Sequence, residues 1–161
     1  MNATRGVRVV YDCNVYLQAL INPDGPAGRC VEAARSGEAL LYWSAFVAEE
    51  LRRTASRPWL TAKFRHLTSD RLDDYVLNIE RIARIVESVP AVFTLDRDPD
   101  DAHYVNLALA AEATLIVSRD NDLLSLMDDA TAEGRAFRAR FPGMRVLTPP
   151  GFIAELTAPL R

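Results

Sequence analysis

Apolar and polar positions along the chain follow two periods. Short runs rich in β-branched and aromatic residues predict buried strands at 7–11 (VRVVY), 39–43 (ALLYW), 91–95, 114–117 and 145–147. Between them the apolar spacing is three and four, the period of amphipathic helices. The clearest helix is 68–88, where Leu72, Tyr75, Val76, Ile79, Ile82, Ala83 and Val86 form one stripe. Arg71, Asp74, Asn78, Arg81 and Arg84 lie on its other faces. Asn14 predicts a cap for a helix through Ile21, and 27–35 a second helix stopped by Ser36 and Gly37. Ser44 predicts the N-cap of a helix that runs to Arg57, where Pro58 stops it, followed by a short segment at 60–65. Helices are also predicted at 101–112, 121–127, 130–141 and 150–156. After Tyr104 the 101–112 segment is apolar or small nearly all round, which predicts a helix sandwiched between neighbours.

Strands alternating with helices predict an α/β fold: a central, mostly parallel sheet with helices on both faces, in three layers. The 161 residues fit one domain, read as 1–161, with a helical insertion at about 128–143. A chain of this length needs no disulfide or metal staple to fold. In open parallel sheets, sites form at the carboxyl ends of the strands, near the switch in strand order. The residues just after each strand are therefore the candidates for chemistry.

Composition narrows the class. The formal net charge is −3, which argues against nucleic-acid binding through bulk charge alone but leaves room for a local basic patch. Lys63 is the only lysine, so the cations are almost all arginines, a compositional bias. Cys13 and Cys30 form no disulfide framework, and two histidines, His66 and His103, exclude Cys/His zinc chemistry. The segment 1–8 carries Arg5 and Arg8, and Asp12 interrupts the apolar run that follows, so no secretory leader is expected. No stretch approaches the ~20 apolar residues of a membrane span. The expected location is cytoplasmic, with no membrane partner.

Three strand exits deliver carboxylates to one rim. Asp12-Cys13-Asn14 follows the first strand, Asp98-Pro99-Asp100-Asp101 the third, and Ser118-Arg119-Asp120-Asn121-Asp122 the fourth. Each cluster alone has an ordinary explanation as helix N-terminal caps and first-turn acids. Together they would crowd, because two carboxylates ~5 Å apart repel by roughly 3 kcal/mol at an effective dielectric of 20. A hard divalent ion, Mg²⁺ or Mn²⁺, resolves such crowding with oxygen ligands. The helix after Ser44 adds a fourth acid. Glu50 shares a face with Val47, Leu51 and Thr54, whereas Glu49 points away and is placed to pair with Arg53. A Glu on a buried stripe needs a partner, which a metal cluster would provide.

These residues resemble the PIN-domain ribonucleases. Val9-Val10-Tyr11-Asp12-Cys13-Asn14-Val15 is similar to the family's opening strand with its D-T-N-V motif. The similarity continues through 44–51 (SAFVAEEL), Arg57-Pro58, 97–101 (RDPDD), 118–124 (SRDNDLL) and 147–152 (LTPPGF). In order and spacing it resembles the branch formed by toxin components of toxin–antitoxin systems. The resemblance implies a five-stranded sheet of order 3-2-1-4-5 and metal-dependent hydrolysis of RNA with one or two Mg²⁺ or Mn²⁺ ions. It also implies an acidic site of Asp12, Glu50, Asp101 and Asp120. Asn14 and Ser118 are then supporting polar groups, Asp122 a further acid at the rim and Asp98 a cap. A cognate antitoxin is the implied protein partner, and a homodimer the expected assembly. Two features depart from the family's pattern. Cys13 replaces the usual Thr, a weaker hydrogen-bond donor. The 128–143 excursion is longer than the turn of that branch, and is read as covering the site, forming a dimer contact or receiving a partner.

RNA would need cations near the acids. Arg52, Arg53, Arg57, Lys63, Arg65 and His66, with Trp59 and Phe64 interleaved, form a candidate edge for phosphates and stacked bases. The alternative is an ordinary charged helix with a packed Trp. Arg135, Arg138 and Arg140 are a second candidate. Cys13 has no nearby histidine and reads as a packed thiol, and His103 as an exposed side chain rather than a general acid. A phosphatase-type use of Asp12 lacks the Lys that chemistry requires after a later strand. A catalytically weak RNA- or protein-binding module on the same fold is the remaining alternative.

Overall fold

The computed structural model describes residues 6–158, so Arg5 and the outer ends of the expected 1–161 domain lie outside the described residues. The element order is β1 (Val7–Tyr11), α1 (Cys13–Ile21), α2 (Pro26–Ser36), β2 (Ala39–Trp43), α3 (Ala45–Ala55), α4 (Pro58–Lys63), α5 (Ser69–Ile82) and β3 (Arg84–Ile85). Then come α6 (Ala102–Ala110), β4 (Leu115–Val117), α7 (Asn121–Leu124), a 3₁₀ turn (Ser125–Met127), α8 (Ala132–Arg140), β5 (Arg145–Leu147) and α9 (Pro149–Thr157). The five strands form one parallel sheet in the order β3-β2-β1-β4-β5, as the resemblance implies. β1 is central, and the order switches between β1 and β4.

The strands are short, and those at the centre of the sheet are enclosed, whereas edge strand β3 is exposed. Val9, Val10, Tyr11, Ile116 and Val117 are all buried, as expected where helices cover both faces of a parallel sheet. Tyr11, Tyr16, Trp43 and Phe152 form an aromatic cluster between β1, α1, β2 and α9, with ring centroids 5.0–6.0 Å apart. On α6, Tyr104, Val105, Leu107 and Ala108 are buried, the enclosed helix its composition predicts. Among the described residues no helix is long and apolar enough to cross a membrane.

The third strand lies elsewhere than expected. The 68–88 helix ends at Ile82, and Ala83 turns extended at φ −97° and ψ 159°. Arg84–Ile85 then pairs with Tyr42 and Trp43, and the Val86 N–H donates to the Trp43 carbonyl at 2.8 Å. The free edge of β2 offers hydrogen bonds to the segment of β-branched Ile85 and Val86, and Val86 fits both the helical stripe and an extended strand. Segment 91–95 is not a strand. Its backbone is tied instead to α6: Asn106 Oδ1 accepts from Val92 and Phe93 N–H at 3.0 and 2.8 Å, and Nδ2 donates to the Phe93 carbonyl at 3.0 Å. Phe93 then packs on Phe137 and Phe141, with centroids 5.4 and 6.1 Å away. The excursion thus docks α8 on the 91–95 segment. Its arginines are engaged locally: Arg135 on the Asp129 carbonyl, Arg138 on the Asp129 carboxylate and Arg140 on the Val92 carbonyl. All three remain exposed.

Candidate metal centre

β1 and β4 end side by side at the switch in strand order, and both exits are acidic. The Asp12 N–H extends the ladder by donating to the Val117 carbonyl at 3.1 Å, which draws Asp12 beneath the surface. The side chain is 2% exposed. Its Oδ1 accepts from Val15 N–H at 3.1 Å, so Asp12 rather than Asn14 caps α1. Its Oδ2 accepts from the Ser118 hydroxyl. Ser118, fully buried, also accepts from Asp120 N–H at 2.9 Å, and Asp120 Oδ1 from Asp122 N–H at 2.8 Å. Short polar side chains folding back on the next backbone amides aim the β4 exit at Asp12.

The other two acids arrive on helices. Ser44 caps α3 by accepting from Val47 N–H, and Glu50 projects from the next turn but one, half-buried. Tyr104 donates its hydroxyl to Glu50 Oε2 at 2.6 Å. Asp101 opens α6 without a side-chain capping bond, and its Oδ2 is buried with no hydrogen-bond partner. Asp98 closes a turn on the Asp100 N–H at 3.2 Å instead of capping α6, and so stays beside the site.

Two overlapping sets of carboxylates result. A cavity of about 220 Å³ is lined by Asp12, Asn14, Glu50, Arg57, Asp101 and Asp120, with Asp98 and Tyr104 on its wall. Asp98, Asp101, Asp120 and Asp122 also bring one carboxylate oxygen each within 4.8 Å of one another. Asp98, Asp101 and Asp120 belong to both sets. Asp122 faces the rim, with Arg97 Nε 3.9 Å away. Arg97 also binds Glu133 of α8 at 2.5 Å, linking the excursion to the acidic rim.

The electrostatics follow from burial and crowding. Burial pushes the Asp12 carboxyl up to about 6, against the pull of the Ser118 and Val15 hydrogen bonds. Burial, and then the neighbouring Asp120 charge, push Asp101 up to about 8. Burial raises Glu50 too, partly opposed by the Tyr104 hydrogen bond. A divalent cation fits this arrangement. The donors are all oxygens, the Asp101 oxygen is buried without a partner, and the clustered charges lack enough cations of their own. Cys13 does not change that choice. Burial pushes its thiol up to about 12, and its sulfur makes only a 3.9 Å contact with Thr54 Oγ1.

The basic candidates separate in space. Arg57 alone of the six proposed RNA-contacting residues lines the acidic cavity. Arg52 turns to Asp73 of α5 at 3.5 Å, and no Glu49–Arg53 ion pair forms among the described residues. Arg53, Arg65 and Lys63 are exposed, Lys63 lying over the Phe64 ring at 5.5 Å. Trp59 is 62% exposed rather than packed. His103 is not free in solvent as expected. Its Nε2 lies 2.7 Å from the Ser44 hydroxyl and its ring stacks on Phe46 at 4.2 Å, bracing the start of α3. Tyr104 and Arg97 escaped the sequence reading. For Tyr104 the available signal is its spacing, three after Asp101 on a helix, which puts both on one side.

Carboxylates gathered at the switch point of a parallel 3-2-1-4-5 sheet define a PIN-like α/β protein. The chain belongs to the PIN domain family, which matches residues 8–122. PIN domains are generally nucleases, and PIN nucleases generally use divalent metals. The chain is 30% identical over 158 residues to the uncharacterized protein MJ1680 of Methanocaldococcus jannaschii, covering 92% of this chain and 91% of that one. Its fold is similar to a chain in the crystal structure of VapBC2 from Rickettsia felis bound to a DNA fragment from their promoter. The TM-score is 0.54 at 12% identity, covering 88% of this chain and 98% of that one.

Proposed function

We propose that this chain is a Mg²⁺- or Mn²⁺-dependent endoribonuclease of the cytoplasm and the toxin component of a toxin–antitoxin pair. The observation that carries the proposal is the meeting of Asp12, Glu50, Asp101 and Asp120, from four separate segments, around one cavity. These four would hold one or two ions, with Asp98 and Asp122 as further acids beside them. When bound, a divalent ion supplies charge stabilisation at a phosphodiester and makes water more acidic. Ser118 and the Val15 amide hold the Asp12 carboxylate in one orientation. Arg57, on the cavity wall, is placed to receive a phosphate of the substrate, with exposed Trp59 two residues on for a stacked base. The toxin assignment is supported by the resemblance of the motif order to that branch, and an antitoxin follows as its partner.

Incubation with single-stranded RNA tests the activity. Cleavage is expected with Mn²⁺ or Mg²⁺, loss of cleavage with excess EDTA, and recovery when Mn²⁺ is restored in excess. Cleavage that persists undiminished in EDTA would contradict metal dependence.

A further inference from the structure

Tyr104 sits at the junction of three of the four segments that carry the acids: the β1 exit, α3 and α6. It lies on α6 one turn beyond Asp101, and its ring is 1% exposed. Its hydroxyl oxygen is 3.1 Å from the backbone nitrogen of Cys13, the residue after Asp12, and 2.6 Å from Glu50 Oε2 on α3. The direction of both hydrogen bonds is forced. A backbone N–H can only donate, so the phenol accepts from Cys13 and must direct its single proton to Glu50. The Cys13 amide is one of the donors left without a helical partner at the start of α1. Tyr104 satisfies it and passes the polarisation on to the carboxylate.

Resting on the metal-dependent nuclease reading of this site, we propose that Tyr104 is a positioning residue that fixes the Glu50 carboxylate for the divalent ion. Oε2 is held by the phenol, so Oε1 is the oxygen left to turn toward the cavity. Without the phenol, the half-buried carboxylate has rotamers that face away from Asp101 and Asp120. Groups that orient a metal ligand from behind commonly govern affinity by 10–100-fold.

The test is Mn²⁺ binding by titration calorimetry for the wild type, Tyr104→Phe, Glu50→Gln and the double variant, with circular dichroism as the check on folding. Tyr104→Phe is expected to weaken Mn²⁺ binding by about 10-fold. Glu50→Gln should weaken it at least as much, and the double variant should be no worse than Glu50→Gln alone, because the tyrosine acts through the glutamate. Unchanged affinity in a folded Tyr104→Phe protein overturns the role of Tyr104 and leaves the nuclease reading intact. Losses that multiply in the double variant overturn it too, as does a Tyr104→Phe loss exceeding that of Glu50→Gln. A wild type that neither binds Mn²⁺ nor cleaves RNA overturns both.

Discussion

Asp101→Asn is expected to raise the melting temperature of the metal-free protein at pH 8 by roughly 2–8 °C while removing RNA cleavage. The Asp101 Oδ2 is buried without a partner, and Asp120 lies beside it. Two carboxylates ~5 Å apart repel by roughly 3 kcal/mol at an effective dielectric of 20, and proton uptake relieves part of this. The remaining ~1–2 kcal/mol converts at about 2–4 °C per kcal/mol for a chain of this size. The pH dependence fixes the sign. The Asp101 carboxyl titrates near 8 in the folded chain, against an ordinary 3.8. Between those values the folded chain holds a proton that the unfolded chain has released. Folded stability from this group is therefore full below about pH 4 and lost as the pH rises through about 8. The gain from Asp101→Asn should shrink at pH 5, where the wild type is already protonated there. Thermal melts of both proteins at the two pH values, with EDTA present, check this. A variant less stable than wild type at pH 8, or a gain of equal size at pH 5, would show that Asp101 is not a strained carboxylate.

Asp12→Asn is expected to lower kcat for RNA cleavage at saturating Mn²⁺ at least 100-fold, about 2.7 kcal/mol in the barrier. The substitution removes the charge and, with it, the acceptor of the Ser118 hydroxyl proton. Asn Oδ1 can keep the bond from Val15 N–H. The Ser118 hydroxyl, which accepts from Asp120 N–H, has a second lone pair for the new amide. The buried helix cap survives and folding is preserved, so loss of rate reports on the carboxylate. Single-turnover kinetics on a fixed RNA, with circular dichroism as the folding control, make the measurement. A rate within threefold of wild type would remove Asp12 from the reaction.

Much of this architecture was legible because the strands that carry chemistry are short, β-branched and followed at once by polar residues. Val7–Tyr11 and Ala39–Trp43 lie where the pattern predicts. Ser44, Thr68 and Thr148 cap helices as such residues do. The third strand was not legible, because its two residues are a tertiary addition to the edge of β2, and the helical stripe runs on past them to Val86. Segment 91–95 misled for the opposite reason. It has strand composition, yet one buried side chain, Asn106, takes its hydrogen bonds. At the site, carboxylates are visible in any sequence, but their supports are not. The Tyr104 phenol reaches residues 91 and 54 positions away in the chain, and Arg97 reaches 36 positions to Glu133. The bases near α4 looked like one cluster because sequence does not say which way a helix face turns. The fold leaves Arg57 at the cavity and commits Arg52 to Asp73.

If acids from four segments bind one divalent centre, a crystal soaked in Mn²⁺ and measured at the manganese absorption edge will hold the ion there. The expected result is an anomalous peak in the cavity, within coordinating distance of Asp101 and Asp120 and reached by Asp12 or Glu50. Full-occupancy Mn²⁺ elsewhere on the molecule with none in that cavity, or no bound Mn²⁺ at all at millimolar concentration, would contradict it.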